Sequence, residues 1–537
     1  MPRKIRTLLA LATALGALAA LSVPAGAHNE GLPSVPLDIE NVEHVFNRPQ
    51  AGGNNLAFFE RREQDGTIKR YVAASTKVNG FDIMDVTEPE HVALAGSYTL
   101  GDDPAAGASA LTGSSLGLNY HPWVDVNPQR NIAAISVEEP AVTARHTTTG
   151  VAFIDISNIA NPKFLGKVDG LGGPHTLRVI DDTCVYTSLQ TWGIDYTDPT
   201  DPEEFRLPVG MAGHEYFPDP NNPGLAWVGT ETVGRWALWD VSDCRNPTIV
   251  DDHSDPANLD TAHEAYPAPD GSFVGVADFT RSGQTQTECP GGGIHFYDIS
   301  GRYVEGSSLQ DPGKMGVYFA PFSGLRPAET DGTNQASCTM HSWQMAPERM
   351  IALGGLYTGG TYVLDPLHET QPGDGEYSGT HMGKALATTQ GKTLGRVRDA
   401  FDFVNATQWL PFDLADPEHE RLFFTTGWER GIDVYKYTGP LPKKLADLSV
   451  SASAAGGAVT GTLERFPLLT HTGWESTPLG GQTVEITAGG TTVQAVTAAD
   501  GSFSANLGLG AGSHQVTVTW AGDDVFRGET TTRTVSV

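Results

Sequence analysis

Apolar residues alternate with small or polar ones in short runs along most of this chain, and turn-forming residues such as Asp181-Asp182 and Pro269-Asp270-Gly271 separate the runs. Alternation of period two over such lengths predicts half-buried β-strands rather than helices. One run recurs: a Gly, alternating apolar positions, an Asp, then often Ser or Thr and a Pro. Residues 80–89 and 150–157 are the clearest copies; 193–198, 235–240, 293–298, 360–365 and 431–436 are further ones, and the last carries Lys436 where the acid would stand. Their sixth positions lie 70, 43, 42, 58, 67 and 71 residues apart.

A second strand-like run precedes each copy, for example 71–76, 132–137, 184–189 and 422–426, and a third lies ahead of that, with a fourth more weakly marked. Three recognisable strands and a fourth, repeated at this spacing, predict the blades of a propeller. The fold class expected is therefore all-β, with a seven-bladed β-propeller over residues 38–440. The segment from Asn41 to Phe46 can supply the outer strand of the last blade, closing the ring with both chain ends and removing an exposed edge. The long intervals 101–117, 283–292 and 367–391 read as loop insertions.

After residues 440–444 the composition shifts to Thr, Val, Ala, Gly and Ser, with alternating runs at 482–487 and 514–520. This predicts a separate β-sandwich over 445–537. With a Pro/Lys linker between them, the two parts are expected to fold independently.

At the other end, Arg3, Lys4 and Arg6 precede an apolar run from Leu8 to Val23, and Ala25-Gly26-Ala27 has the small-x-small form of a signal-peptidase site. Residues 1–27 are thus expected to be a signal peptide and the chain to be secreted, with no later run long enough to span a bilayer. A formal charge of −30 argues against a nucleic-acid partner, whose phosphates require a basic surface. Export makes disulfides permissible for Cys184, Cys244, Cys289 and Cys338. Strand polarity puts Cys184 and Cys244 on one face of the propeller and Cys289 and Cys338 on the other. A bridge spans no more than ~7 Å between Cα atoms, so Cys184–Cys244 and Cys289–Cys338 are the expected pairs.

The pattern Gly-φ-x-φ-φ-Asp-φ-Ser-x-x-x-x-Pro at 150–162 resembles the repeat of the LVIVD family of secreted bacterial proteins, and the likeness extends over most of 60–440. The C-terminal Gly501-Ser-Phe503, Leu509-Gly-Ala-Gly512 and Thr519-Trp-Ala-Gly-Asp523 are similar to bacterial Ig-like domains. That resemblance implies an Ig-like sandwich acting as a stalk, spacer or contact to the cell wall or another extracellular surface.

Aligning the innermost strands exposes a histidine that opens the strand in five consecutive blades: His121, His175, His214, His263 and His341. Thr407 takes the equivalent place in blade seven, and Asn54 or Asn55 in blade one. In an up-and-down blade these positions converge at one channel mouth, where the second strands end at Glu138, Gln190, Glu231 and Asp278. Neutral imidazole binds copper, zinc and iron, and an outer carboxylate orients it and raises its basicity. The expected cofactor is a transition metal (copper, zinc or iron) held by the five histidines, with the four polar residues behind them and a small-molecule ligand at the mouth.

A histidine at this connection also staples strands in some propellers through an Asp of its own blade. Fold-level analogy with the propellers of nitrous oxide reductase and the selenium-binding-protein family points to redox chemistry, and with virginiamycin B lyase to a lyase. The alternative is a non-enzymatic extracellular or cell-surface binding scaffold. His214-Glu215 and His263-Glu264 do not form a His-Glu-x-x-His motif, because the second histidine is missing.

Overall fold

The computed structural model describes residues 38–49, 53–76, 80–106, 122–137, 149–171, 174–188, 191–230, 234–279, 292–300, 314–318, 340–356, 360–366, 392–398, 404–413, 416–427, 430–453 and 457–536. The signal-peptide segment, His121, Glu138, Gln190, Glu231, Cys289 and Cys338 lie outside them.

The strands before Pro440 form seven antiparallel sheets, each a meander of successive strands. Their inner strands are Leu56–Arg62, Val124–Asn127, Leu177–Val179, Glu215–Asp219, Ala262–Pro267, Met340–Met345 and Val404–Trp409. Each packs against the next, and the last packs against the first. The apolar core is correspondingly divided into seven clusters, each drawn from two neighbouring blades. Phe412, Phe424 and Val434 meet Leu56, Val72 and Met84 between blades seven and one, so the ring is a closed seven-bladed β-propeller.

The recurring Gly-to-Asp runs are the third strands, and two local forces explain their pattern. At Gly150 a Cβ would stand 1.7 Å from the Val168 carbonyl oxygen, so the outer strand approaches more closely than any side chain permits. The acid closes the following turn: Asp155 Oδ1 accepts the Ser157 N–H at 2.8 Å, and Asp85, Asp240 and Asp298 accept the amide two residues on in the same way. In blade three the pairing corrects the sequence alignment. Asp195, not Asp198, holds this position, opposite Cys184 and bonded to the Thr197 N–H at 2.7 Å.

Ring closure follows the expected route. Val42–Arg48 pairs with Gly431–Tyr437 as the outer strand of blade seven. Just before it Asp38–Glu40 adds a fifth strand to blade six, and Asn41, with φ of 52°, makes the step between the two edges. Asp433 pins the closing strand, taking hydrogen bonds from Asn47 at 2.9 Å and Arg430 at 2.8 Å and standing 2.7 Å from His44 Nε2. Burial raises this carboxyl, but the bonds from His44 and Arg430 outweigh burial and hold it below the ordinary aspartate value of 3.8. Asp433→Asn is expected to cost about 1.5–3 kcal/mol at neutral pH, the range for hydrogen bonds to a charged group. Because the folded-state value is depressed, that contribution is complete above about pH 4 and is lost as the pH falls through the folded-state value. The gap between wild-type and variant urea midpoints should shrink over that acid range; a constant gap would contradict the assignment.

Cys184 and Cys244 form a disulfide joining blades three and four, with Cα atoms 6.2 Å apart.

Residues 446–536 form two further antiparallel sheets. Leu448, Leu463, Ile486, Phe503, Val518 and Trp520 fill the core they share, which makes this part a β-sandwich. The Pro/Lys connection to it is itself packed and bonded. Lys444 is buried, its backbone bonds Val525 and Arg527, and the Leu445 N–H donates to the Glu348 carbonyl of blade six at 2.7 Å. The reason is charge pairing that composition does not reveal: Glu348 takes Lys444 at 3.1 Å and Arg465 at 2.6 Å, and Glu420 takes Lys444 and Arg349.

Candidate metal centre at the channel mouth

The strand-opening histidines of blades three to six form a contiguous arc. Ring centroids are 5.4 Å apart for His175 and His214, 4.1 Å for His214 and His263, and 4.5 Å for His263 and His341. Phe279 stacks on His263 at 5.1 Å and meets His341 edge-on at 6.1 Å. His214, His263 and His341 are buried, and His175 is half-buried.

A regular strand would turn His263 and Glu264 to opposite faces. Here the pairing register shifts between Ala262 and Glu264, and again between Met340 and Ser342, so a bulge sits at each histidine. Two residues then oppose one partner, and both histidine and successor reach the channel. His263 with Glu264 and His341 with Ser342 line the same small cleft, together with Glu215 and Arg178. The corresponding shift in blade seven falls between Val404 and Ala406, which gives the bulge to Asn405; Thr407, the residue aligned from sequence, lies two positions further down the strand. Asn54 and Asn55 in blade one are committed to blade two: Asn54 Nδ2 donates to Pro122 O at 3.2 Å, and Asn55 takes the Val124 N–H at 3.0 Å and donates to the Val124 carbonyl at 2.6 Å.

His214, Glu215 and His263 each offer a ligand atom, and these atoms lie within 4.8 Å of one another. Burial, followed by repulsion from His175 and His341, holds His214 well below the ordinary histidine value of 6.5. His263 is lowered in the same sense, by burial and then by His214 and His341. Both imidazoles are therefore neutral at physiological pH, the form that donates a lone pair to a metal. Glu264 stands beside this set, its carboxyl raised well above the usual glutamate range by burial and then by Glu215, while its Oε1 accepts the Trp343 N–H. Across the cleft Arg178 donates to the Tyr216 carbonyl at 3.0 Å and lies 3.6 Å from Asp125.

Among the carboxylates expected behind the ring, Asp278 is fully buried and turned inward. It accepts the Thr261 N–H at 3.1 Å and faces His295 of its own blade at 3.8 Å, which shapes the loop entering the His263 strand. Two acids that the alignment did not single out, Glu215 and Glu264, also stand by the imidazoles. Their signal in the sequence is a His-Glu pair at the same register of two consecutive blades, which a search for His-Glu-x-x-His passes over.

Two buried imidazoles and a carboxylate with a cleft beside them match the His₂-carboxylate donor sets that leave open positions on a divalent transition metal. No protein-family model and no curated protein matches this chain. Solved structures do. A chain of the COPII coat assembled on membranes aligns at 9% identity over 80% of this chain and 55% of its own length, with a TM-score of 0.42. A chain of the COPII outer coat vertex aligns at 9% identity over 80% of this chain and 98% of its own, with a TM-score of 0.43. Sqt1 from Chaetomium thermophilum aligns at 11% identity over 86% and 98%, with a TM-score of 0.37.

Proposed function

We propose that this chain is a secreted propeller that binds one transition-metal ion at the channel mouth and acts there on a small molecule. The observation that carries the reading is the cluster of His214, Glu215 and His263 ligand atoms within 4.8 Å of one another. His175 and His341 complete the arc, and His121 extends it on the sequence pattern. The donor types suit iron, zinc or copper. Bound metal would supply Lewis-acid or one-electron chemistry to a ligand in the cleft. The chain's own part is to keep two imidazoles neutral, to set beside them Glu264, whose carboxyl burial pushes up, and to pack Phe279 on the His263 ring. The Cys184–Cys244 disulfide suits an oxidising compartment, in keeping with the signal-peptide-like leader.

Elemental analysis of untagged protein is expected to find about one metal ion per chain, and His214→Ala or Glu215→Gln to lower the affinity at least tenfold, in the range seen when ligand shells are disturbed. Sub-stoichiometric metal after reloading, unaltered in both variants, would instead support the non-enzymatic scaffold reading.

A further inference from the structure

The hairpin made by the end of strand Ala458–Thr470 and the start of Gly473–Pro478 leaves the sandwich and lies against the propeller face opposite the histidines. Its contacts run around the ring. In blade seven Leu469 bridges Phe412 in parallel, with its N–H on the Pro411 carbonyl at 3.0 Å. In blade one the His471 N–H donates to Glu60 Oε1 at 3.1 Å. A Cβ at Gly473 would stand 3.8 Å from Gln129 of blade two. Phe466 and Trp474 share a crevice with Asn221 of blade four, Tyr266 of blade five and Met345 of blade six. All these propeller residues lie toward the ends or in the turns that follow the inner strands, the part of each blade nearest the axis. With direct contacts in blades seven, one and six, the last through Arg465 and Glu348, and with blades two, four and five close beside it, the segment lies over the axis.

We infer that this hairpin is a stopper for the propeller channel, so that, among the described residues, the cleft lined by His263 and His341 is a one-ended chamber that opens toward the histidine mouth. The C-terminal sandwich then has a role at the site itself, beyond that of a spacer. It removes the second exit, so a ligand must arrive and leave by the histidine mouth. The inference stands on packing alone and is independent of whether a metal binds.

The test is cysteine alkylation in the full chain, in buffer containing a chelator. Met345, which is 1% exposed and lies beneath the hairpin, is replaced by cysteine. Met345→Cys is expected to react with a bulky maleimide about 100-fold or more slowly than in the same chain carrying a shortened hairpin, because reaction in the intact protein waits on local opening. The shortened hairpin lacks Leu469, Thr470, Gly473 and Trp474, which preserves the strand alternation. Should that chain fail to fold, Trp474→Ala provides the comparison. Phe412→Cys combined with Leu469→Cys should cross-link under mild oxidation in the folded protein. Equal alkylation rates with and without the stopper, or no cross-link, would overturn the inference.

Discussion

Glu348→Ala is expected to be among the most damaging single substitutions in the chain, lowering the unfolding free energy by about 3–5 kcal/mol, the range for breaking a buried ion pair from one side. Glu348 is 6% exposed and Lys444 7%, and Glu348 is the acid shared by Lys444 and Arg465 at the junction of propeller and sandwich. The Glu348 hydrogen bond is the foremost reason that the Arg465 guanidinium is held still further toward its charged form. Removing the carboxylate leaves two cations with, among the described residues, Glu420 and the more exposed Asp413 to receive them. The loss should appear as a lower urea midpoint and as an early transition in which the sandwich separates. Replacing Glu348, Lys444 and Arg465 together by apolar residues of similar volume should restore most of the stability, since no charge is then stranded. If Glu348→Ala shifts the midpoint no more than a surface substitution does, the junction is held by something other than these charges.

The second large effect is expected at Gly229, the last residue of the second strand of blade four. A Cβ there would stand 2.4 Å from the His263 carbonyl oxygen and 2.7 Å from the Glu264 Cα, both backbone atoms of the neighbouring inner strand. Neither can give way without carrying His263 and Glu264 with it. Gly229→Ala should cost about 1–3 kcal/mol by overpacking and should also weaken metal binding, because positioning at a site of this kind tolerates only about 0.5 Å. Gly224→Ala, in the same strand but with its nearest contact at 3.5 Å from Ser242, is the control and should leave binding unchanged. Thermal melts and metal titration of the two variants decide between a local strand effect and displacement of the site.

The blades were legible because their determinants are local. A Gly where the outer strand crowds in, alternating apolar positions and an Asp that caps the next turn act within one strand and the hairpin that follows it, so the third strands can be read directly. Blade three went astray for the same reason: Asp195 and Asp198 both satisfy local turn chemistry, and only the pairing of Asp195 with Cys184 distinguishes them. The histidine arc could be anticipated because register along an inner strand maps to depth in the channel. Glu264 could not, because the bulge that turns it toward the cleft is decided by where two strands pair.

Alternation, turn chemistry and repeat spacing by themselves determined that this chain makes seven blades, closes them with its own N-terminal strand, adds a sandwich and gathers histidines at one mouth; the fifth strand of blade six was not among these features. Tertiary structure alone decided that Glu215 and Glu264 stand beside those histidines, and that the sandwich hairpin reaches the opposite mouth. The first set of features depends on interactions between near neighbours and on periods that sequence displays. The second depends on contacts such as Glu348 with Arg465, 117 residues apart, and Glu60 with His471, 411 apart, whose free energy exists only once the ring has closed and brought those surfaces together.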